Sequence, residues 1–380
     1  MMQQTTENFT SLSPEQHNAV DAYLEASADA KQFSGAVLIT QRDCSPISRC
    51  YGLANREHQV ANMLTTKFRI ASVTKQFTAA AILQLQEKGL LDVQAPISNY
   101  LTDYPEGVGA ASRKENRITV HHLLTHTSGI PGYLRPENES DAREWLRQSF
   151  TLAQLIGRFQ SRPLDFAPGE KFRYSNSGYV LLTQIIESVA NQSYADYLQA
   201  NIFTPLALNA TGYERPQAVI ANLAQGYSLT DDGTYVNASP FDMSIPQGAG
   251  GLYSTTADLA RWTQWLHRQA AESSVESSVL STATKEMLMQ PAVLVEPETS
   301  DDTFYGYGIV IDSQFGQRHV HHSGRINGFE SSLAHFPESL LTIVVLSNLE
   351  NGIAFRIAED LAAIAFDSPY QLPERDEMGM

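Results

Sequence analysis

A serine and a lysine three positions apart, Ser72 and Lys75 in "IASVTKQFT" (residues 70–78), stand where an apolar helix begins. Residues i and i+3 of a helix share a face, so the ammonium group can touch the hydroxyl. The unpaired N–H groups of a helix N-terminus can hold an oxyanion, and the positive end of the helix dipole disfavours a charged lysine. Lysine titrates near 10.4, so acting as a base at neutral pH needs a drop of about three units, roughly 4 kcal/mol of differential interaction. Partial burial and a positive neighbour can supply it. The chemistry open to such a pair is acyl transfer through the serine. Taken alone, the same residues also describe a helix N-cap followed by a solvated lysine.

Two further groups carry polar chemistry. In "FAPGEKFRYSNSGYVLL" a Pro168-Gly169 turn is followed by Tyr174 and Asn176 at the start of a second helix. A phenol beside a lysine can lose or relay a proton, and the Asn176 amide can orient a substrate carbonyl. In "RHVHHSGRINGFESSLAHF" His322 would face one side of a strand, and Gly324 lets a backbone approach a ligand closely. The next N–H, from Arg325, could be a second oxyanion donor. The plainer readings are a core tyrosine in a loop and a histidine-rich edge strand.

These groups need elements to position them. Strand signals cluster towards the two ends of the chain: "GAVLIT" and "SRCYGLANRE" as a hairpin, then residues 306–313, 318–324, 331–337 and 341–348 as an antiparallel meander. "EQHNAVDAYLEASA" and "GIAFRIAEDLAAIAF" read as covering helices, the latter with Ala354, Ile357, Ala358, Leu361, Ile364 and Ala365 in one stripe. The middle is mostly helix and loop. The expected class is therefore α+β: an antiparallel sheet built from both chain ends and flanked by helices, with a mostly helical insertion. The expected division is 14–71 with 291–367 as the sheet part and 72–290 as the helical part, with flexible tails at 1–13 and 368–380. An active site belongs in the crevice between the two parts.

Composition narrows the function. The 380 residues carry 42 acidic and 26 basic side chains, a formal charge of −16. That balance argues against nucleic acid or an anionic membrane as partner, since both call for a basic surface. No apolar run reaches the roughly 18 residues of a membrane span. The opening "MMQQTTENFTSLSPEQ" lacks the basic region and apolar stretch of a signal peptide. A cytoplasmic location is expected, or a periplasmic or secreted one had a signal been removed. Cys44 and Cys50 could face each other across a hairpin, but free thiols are the expected state, and neither suggests zinc.

Ser-x-x-Lys, Tyr-x-Asn and His-x-Gly in this order resemble the serine β-lactamase and penicillin-binding-protein superfamily. The nearest branch is the class C β-lactamase-like one, with its family VIII esterases, D-aminopeptidases and DD-carboxypeptidases. The likeness spans roughly residues 35–350 and includes "FRIASVTKQFTAAAILQLQEKGLLDVQAPISNYL", "ITVHHLLTHTSGI" and "GAGGLYSTTADLARW". The resemblance implies Ser72 as acylated nucleophile, Lys75 as its proton partner and Tyr174 as the general base that also activates the deacylating water. It further implies Asn176, His322 and Gly324 as substrate-binding residues, with the Ser72 and Arg325 N–H groups as oxyanion hole. It implies no metal and no organic cofactor. His322 departs from the Lys-Thr-Gly of β-lactamases and removes a fixed positive charge. Ester or amide hydrolysis is therefore expected ahead of β-lactam hydrolysis, and Arg325 could restore that charge if its side chain turns inward. The substrate would be a small ester, an amide or a D-peptide.

Rival readings are weaker. His122 and His126 stand four apart and His319, His321 and His322 cluster, but no His-Glu-x-x-His or carboxylate at ligand spacing supports a metallohydrolase. No serine has the Gly-x-Ser-x-Gly frame of an α/β-hydrolase. A non-catalytic scaffold or penicillin sensor would be expected to have lost Ser72, Lys75 or Tyr174, and all three are present.

Overall fold

Alternating apolar residues build the central sheet. In the computed structural model, which describes residues 12–41, 45–102, 104, 117–133, 144–268, 279–295, 302–351 and 353–373, eight strands form one antiparallel sheet. They are β1 (Gly35–Gln41), β2 (Ile47–Tyr51), β3 (Val293–Leu294), β4 (Phe304–Tyr305), β5 (Val310–Gln314), β6 (Gln317–Ile326), β7 (Phe329–Phe336) and β8 (Leu341–Ser347). Their spatial order is β3-β4-β5-β6-β7-β8-β1-β2. The early hairpin β1–β2 is thus joined to the late meander through β1 and β8, with Val37 opposite Val345 and Ile39 opposite Ile343. The α+β class and the sheet built from both ends of the chain are as expected from the sequence.

Because strand side chains alternate, the sheet has two apolar faces. Val37, Ile39, Ala334, Ile343 and Val345 point outward onto two helices, α1 (Pro14–Asp29) and α9 (Ala354–Ala365). Helix α1 begins at a capping box in which Ser13 and Gln16 bond each other's backbone N–H groups. On α9 the stripe Ala354, Ile357, Ala358, Leu361 and Ile364 is buried. The alternate residues Ala36, Leu38, Leu333, Val344 and Leu346 point inward and merge with the helical middle of the chain in one continuous core.

That middle contains α2 (Thr74–Glu87), α3 (Val120–Leu124), α4 (Leu152–Gly157), α5 (Asn176–Ala190), α6 (Tyr194–Leu198), α7 (Thr256–His267) and α8 (Thr282–Leu288). Helix α2 is buried along nearly its whole length and ends at Lys88, followed by Gly89 with φ +68°. Its Phe77 ring stacks on Trp262 of α7 at 4.2 Å, and the Trp262 indole N–H donates to Gln76 Oε1 at 2.8 Å. Helix α7 in turn packs on β1 and β8. Thr255 caps it through the Asp258 N–H, while the Asp258 carboxylate accepts from Ala210 N and Thr211 Oγ1.

Most of the two expected tails, and Cys44, lie outside the described residues. Tyr370, within the second tail, sets its ring edge against Tyr23. Cys50 is a free, half-buried thiol opposite Ala36. No described helix is long and apolar enough to cross a membrane.

Candidate active site

Ser72 lies in a single 3-10 turn, Ala71–Val73, that leads into α2. The residue before it, Ala71, has φ +44°, a left-handed conformation that costs a non-glycine residue on the order of 1 kcal/mol or more. Ser72 thus stands just before α2 proper rather than within it.

Lys75 is fully buried one turn further on. Its Nζ lies 3.1 Å from Ser72 Oγ, 2.8 Å from Asn176 Oδ1 and 2.7 Å from the Ala249 carbonyl. All three partners are neutral. Burial holds the amine well below its ordinary pKa. A neutral amine has two N–H donors and one lone pair. Here the donors match Asn176 Oδ1 and the Ala249 carbonyl, which leaves the lone pair for the Ser72 O–H. That is the geometry of a base before proton transfer.

Tyr174 approaches the same pair from the turn before α5, its ring 4.7 Å from Lys75 Nζ. One side of the residue is open to solvent (43% exposed). The surrounding protein still pushes its phenol above the usual value, and hydrogen bonding to Ser72 offsets part of that rise. Asn176, the first residue of α5, receives the Lys75 hydrogen bond and lines the cleft.

The last side of the site is β6. The register pairs His322 with Leu333 on the inner face, so His322 points at the helical part while His319 and His321 point outward. His322 Nδ1 lies 2.6 Å from the Ser323 carbonyl and Nε2 lies 3.2 Å from Tyr305 Oη. With Nδ1–H donating to that carbonyl, Nε2 accepts from the tyrosine. Burial, and next the nearby Lys75, push its pKa down to about 3, so the ring is neutral. Two positions on, a Cβ at Gly324 would stand 2.3 Å from the Ile70 carbonyl and 2.9 Å from Ser72 N. Only glycine lets the Gly324–Arg325 backbone come up against the Ser72 amide. The Arg325 side chain is 63% exposed and lies 3.7 Å from Glu330 and 3.8 Å from Glu350, engaged with carboxylates.

A cleft of about 290 Å³ opens beside Ser72. Tyr133, Trp145, Leu146, Phe241, Pro246 and Ile326 give it a mainly apolar wall, with Asn176, Asn327 and Arg325 as its polar members. No carboxylate is among the described lining residues.

One positioning residue escaped the sequence reading. His126 follows α3 with φ +59° and is buried under the Tyr174 ring at 4.3 Å. Its carbonyl accepts from Arg173 N at 2.8 Å and its Nδ1 from Ser175 N at 3.1 Å, so it grips the backbone on both sides of Tyr174. Its signal was the His126-Thr-Ser-Gly run just past a short helix, weighed earlier only as a metal ligand. His122, the partner considered there, instead uses Nδ1 to accept from Thr119 N at 3.2 Å.

Fold and site define a class. Residues 20–366 match the family model described as Beta-lactamase, and the chain belongs to that family, within the serine hydrolase superfamily. Among its relatives is penicillin-binding protein 4* of Bacillus subtilis (strain 168), 31% identical over 369 residues, covering 92% of this chain and 76% of the relative. A penicillin-binding protein from Bacillus halodurans superposes with a TM-score of 0.75 at 30% identity, over 90% of this chain and 98% of its own. A D-stereospecific amidohydrolase from Streptomyces sp. gives 0.71 at 25% identity, over 87% and 94%.

Proposed function

We propose that the protein hydrolyses small, uncharged carboxylic esters or amides through an acyl-enzyme on Ser72. The observation that carries this reading is the Lys75 amine, fully buried, 3.1 Å from Ser72 Oγ and hydrogen-bonded, among the described residues, only to neutral groups. Lys75 takes the serine proton as Oγ attacks the carbonyl carbon. The oxyanion is received by the N–H groups of Ser72 and Arg325, which the close approach of Gly324 brings together. Tyr174, its phenol held in the protonated form, is placed to relay a proton to the leaving group rather than to stand as the resting base suggested by its motif. In deacylation the order reverses, and water takes the place of the leaving group.

The cleft supports the choice of substrate. Its apolar wall suits an aliphatic or aromatic acyl group, and no carboxylate among the described lining residues could hold a free α-ammonium. Arg325, the one cation among the described lining residues, already faces Glu330 and Glu350, which weakens the reading of a terminal carboxylate as anchor. A D-configured amide remains the second reading, favoured by the likeness to the D-stereospecific amidohydrolase.

The test is turnover of p-nitrophenyl butyrate by wild type and Ser72→Ala side by side, with intact-protein mass measured during turnover. Expected is a loss of at least about 10³-fold in the variant, and a butyryl adduct on wild type alone. Equal turnover by both proteins would overturn the assignment.

A further inference from the structure

The outer face of the sheet carries a cluster that the reaction does not use. Asp312 on β5 stands directly opposite His319 on β6, and His321 is the next residue of β6 on the same face. Asp312 Oδ1 is 2.9 Å from His319 Nδ1, and Oδ2 is 3.1 Å from His321 Nε2. One ligand atom from each residue lies within 4.8 Å of the other two. The two imidazoles are stacked almost parallel, 4.1 Å between centroids and 4° between planes. Phe336 stacks on His319 and Phe355 of α9 packs on His321, so the rings have little freedom to turn away. The remaining ring nitrogen of His321, Nδ1, is buried without a hydrogen-bond partner among the described residues.

We propose that Asp312, His319 and His321 form a binding site for a divalent transition-metal ion of the zinc type, on the face of the sheet opposite Ser72. Two imidazoles and a carboxylate suit such an ion and are poor for calcium or magnesium, which prefer oxygen. The dimensions agree. Zinc bonds of about 2.0–2.1 Å in a tetrahedron set ligand atoms about 3.3 Å apart, and the carboxylate–imidazole distances are already 2.9 and 3.1 Å. The third edge, between the two imidazole nitrogens, lies within 4.8 Å, and a bound ion would draw it in towards that spacing. An ion there takes the lone pairs of His319 Nδ1 and His321 Nε2, and each neutral ring keeps its proton on its other nitrogen, so no net proton is lost from the rings. Entry is open through Asp312, whose side chain is 16% exposed. Glu359 of α9, fixed by Gln314 Nε2 at 2.9 Å and within electrostatic reach of His321 and Asp312, offers a fourth ligand, with water as the alternative.

The site would tie β5 and β6 together without touching the reacting atoms. His321 and His322 are consecutive but face opposite sides of the sheet.

The experiment uses the full chain without a histidine tag, stripped with chelator and titrated with Co2+ and then with Zn2+. Expected is one Co2+ per chain with the visible absorption of a four- or five-coordinate ion, displaced by Zn2+, and a Tm raised by about 3 °C or more at a hundredfold excess of Zn2+ over Kd. Asp312→Asn and His319→Gln should each weaken binding at least about tenfold. Wild type that binds neither ion below about 100 μM would overturn the proposal. So would affinity unchanged in both variants, because the ion would then sit elsewhere, for example at His267 and His335, whose rings are 3.9 Å apart. Should Asp312→Asn fail to fold, wild-type stoichiometry and His319→Gln decide the matter.

Discussion

Lys75 and Tyr174 are pushed in opposite directions by the protein around them, the amine from all sides and the phenol from its one covered side, since a low-dielectric surround disfavours the ammonium and the phenolate alike. Both are driven to their neutral forms, the state in which an amine accepts and a phenol donates. The sign of the pH dependence follows. Lys75 is protonated and useless as a base below its lowered pKa, so kcat/KM should rise with pH through that value and level off above it. His322, pushed down to about 3, is neutral throughout and should carve no inflection near 6.5. Stopped assays from pH 4 to 9 would check both statements, and a flat profile would remove Lys75 from the base role. Lys75→Arg offers a sharper test. A guanidinium cannot lose its proton in this range, so arginine should be as damaging as alanine, about 10³-fold or more in kcat, although it still offers hydrogen-bond donors at that position. At this scale the sequence was informative where spacing alone sets geometry: Ser72 and Lys75 meet because they are i and i+3. It could not apportion roles between Lys75 and Tyr174, because the deciding quantity is burial, which depends on residues such as Ala249 and His126 far along the chain.

Among the elements, β6 does the most with the least length. Its alternation sends His322 inward and His321 outward, and its one glycine lets the strand press against the turn that holds Ser72. Replacing glycine by alanine inside a strand would ordinarily be neutral or mildly stabilising. Here the added carbon meets the Ile70 carbonyl and Ser72 N, both backbone, and cannot be relieved by a side-chain rotation. Gly324→Ala should therefore lower kcat about 10²-fold, the cost of a displacement near 1 Å. Tm should fall by only a few degrees. An active Gly324→Ala enzyme would mean that the strand does not shape the oxyanion site. The meander itself was readable, because apolar alternation and turn residues are local signals. The outer Asp-His-His cluster was not. The sequence has no carboxylate at ligand spacing from His319, and the hairpin register supplies Asp312 from the neighbouring strand.

For the whole molecule, the buried histidines set the acid side of stability. Burial is the leading cause in each case: His322 and His335 are pushed down to about 3, and His122 and His319 to about 4. The unfolded chain binds protons at these rings near 6.5 and the native one does not. Stability from them is complete above pH 6.5 and drains away as pH falls towards 3–4. Each unit of depression is worth about 1.4 kcal/mol, so urea midpoints should drop steeply between pH 6.5 and 4. A constant midpoint across that window would show that the rings are solvated. The overall class was legible because strand signals lie towards both ends of the chain with helices between. The way helix α7 bridges back from the middle of the chain onto β1 and β8 was not, since it rests on long-range packing.

The pairing of β1 with β8 also has a consequence for how the molecule comes into being. Some 300 residues separate the two strands, and at ribosomal speeds of 5–20 residues per second the first waits about 15 to 60 s for its neighbour. During that interval the Val37–Ile39 edge is an unpaired, apolar template, the kind of surface that chaperones shield and that other nascent chains can join. On the proposed reading, the nucleophile would be idle for much of the same time. Ser72 and Lys75 emerge early, but the backbone that presses against the Ser72 amide belongs to Gly324 and Arg325. Under the proposed mechanism, a chain released from the ribosome before β6 would carry a serine with only its own N–H to hold the oxyanion, so the late strands that close the sheet would also complete the catalytic site.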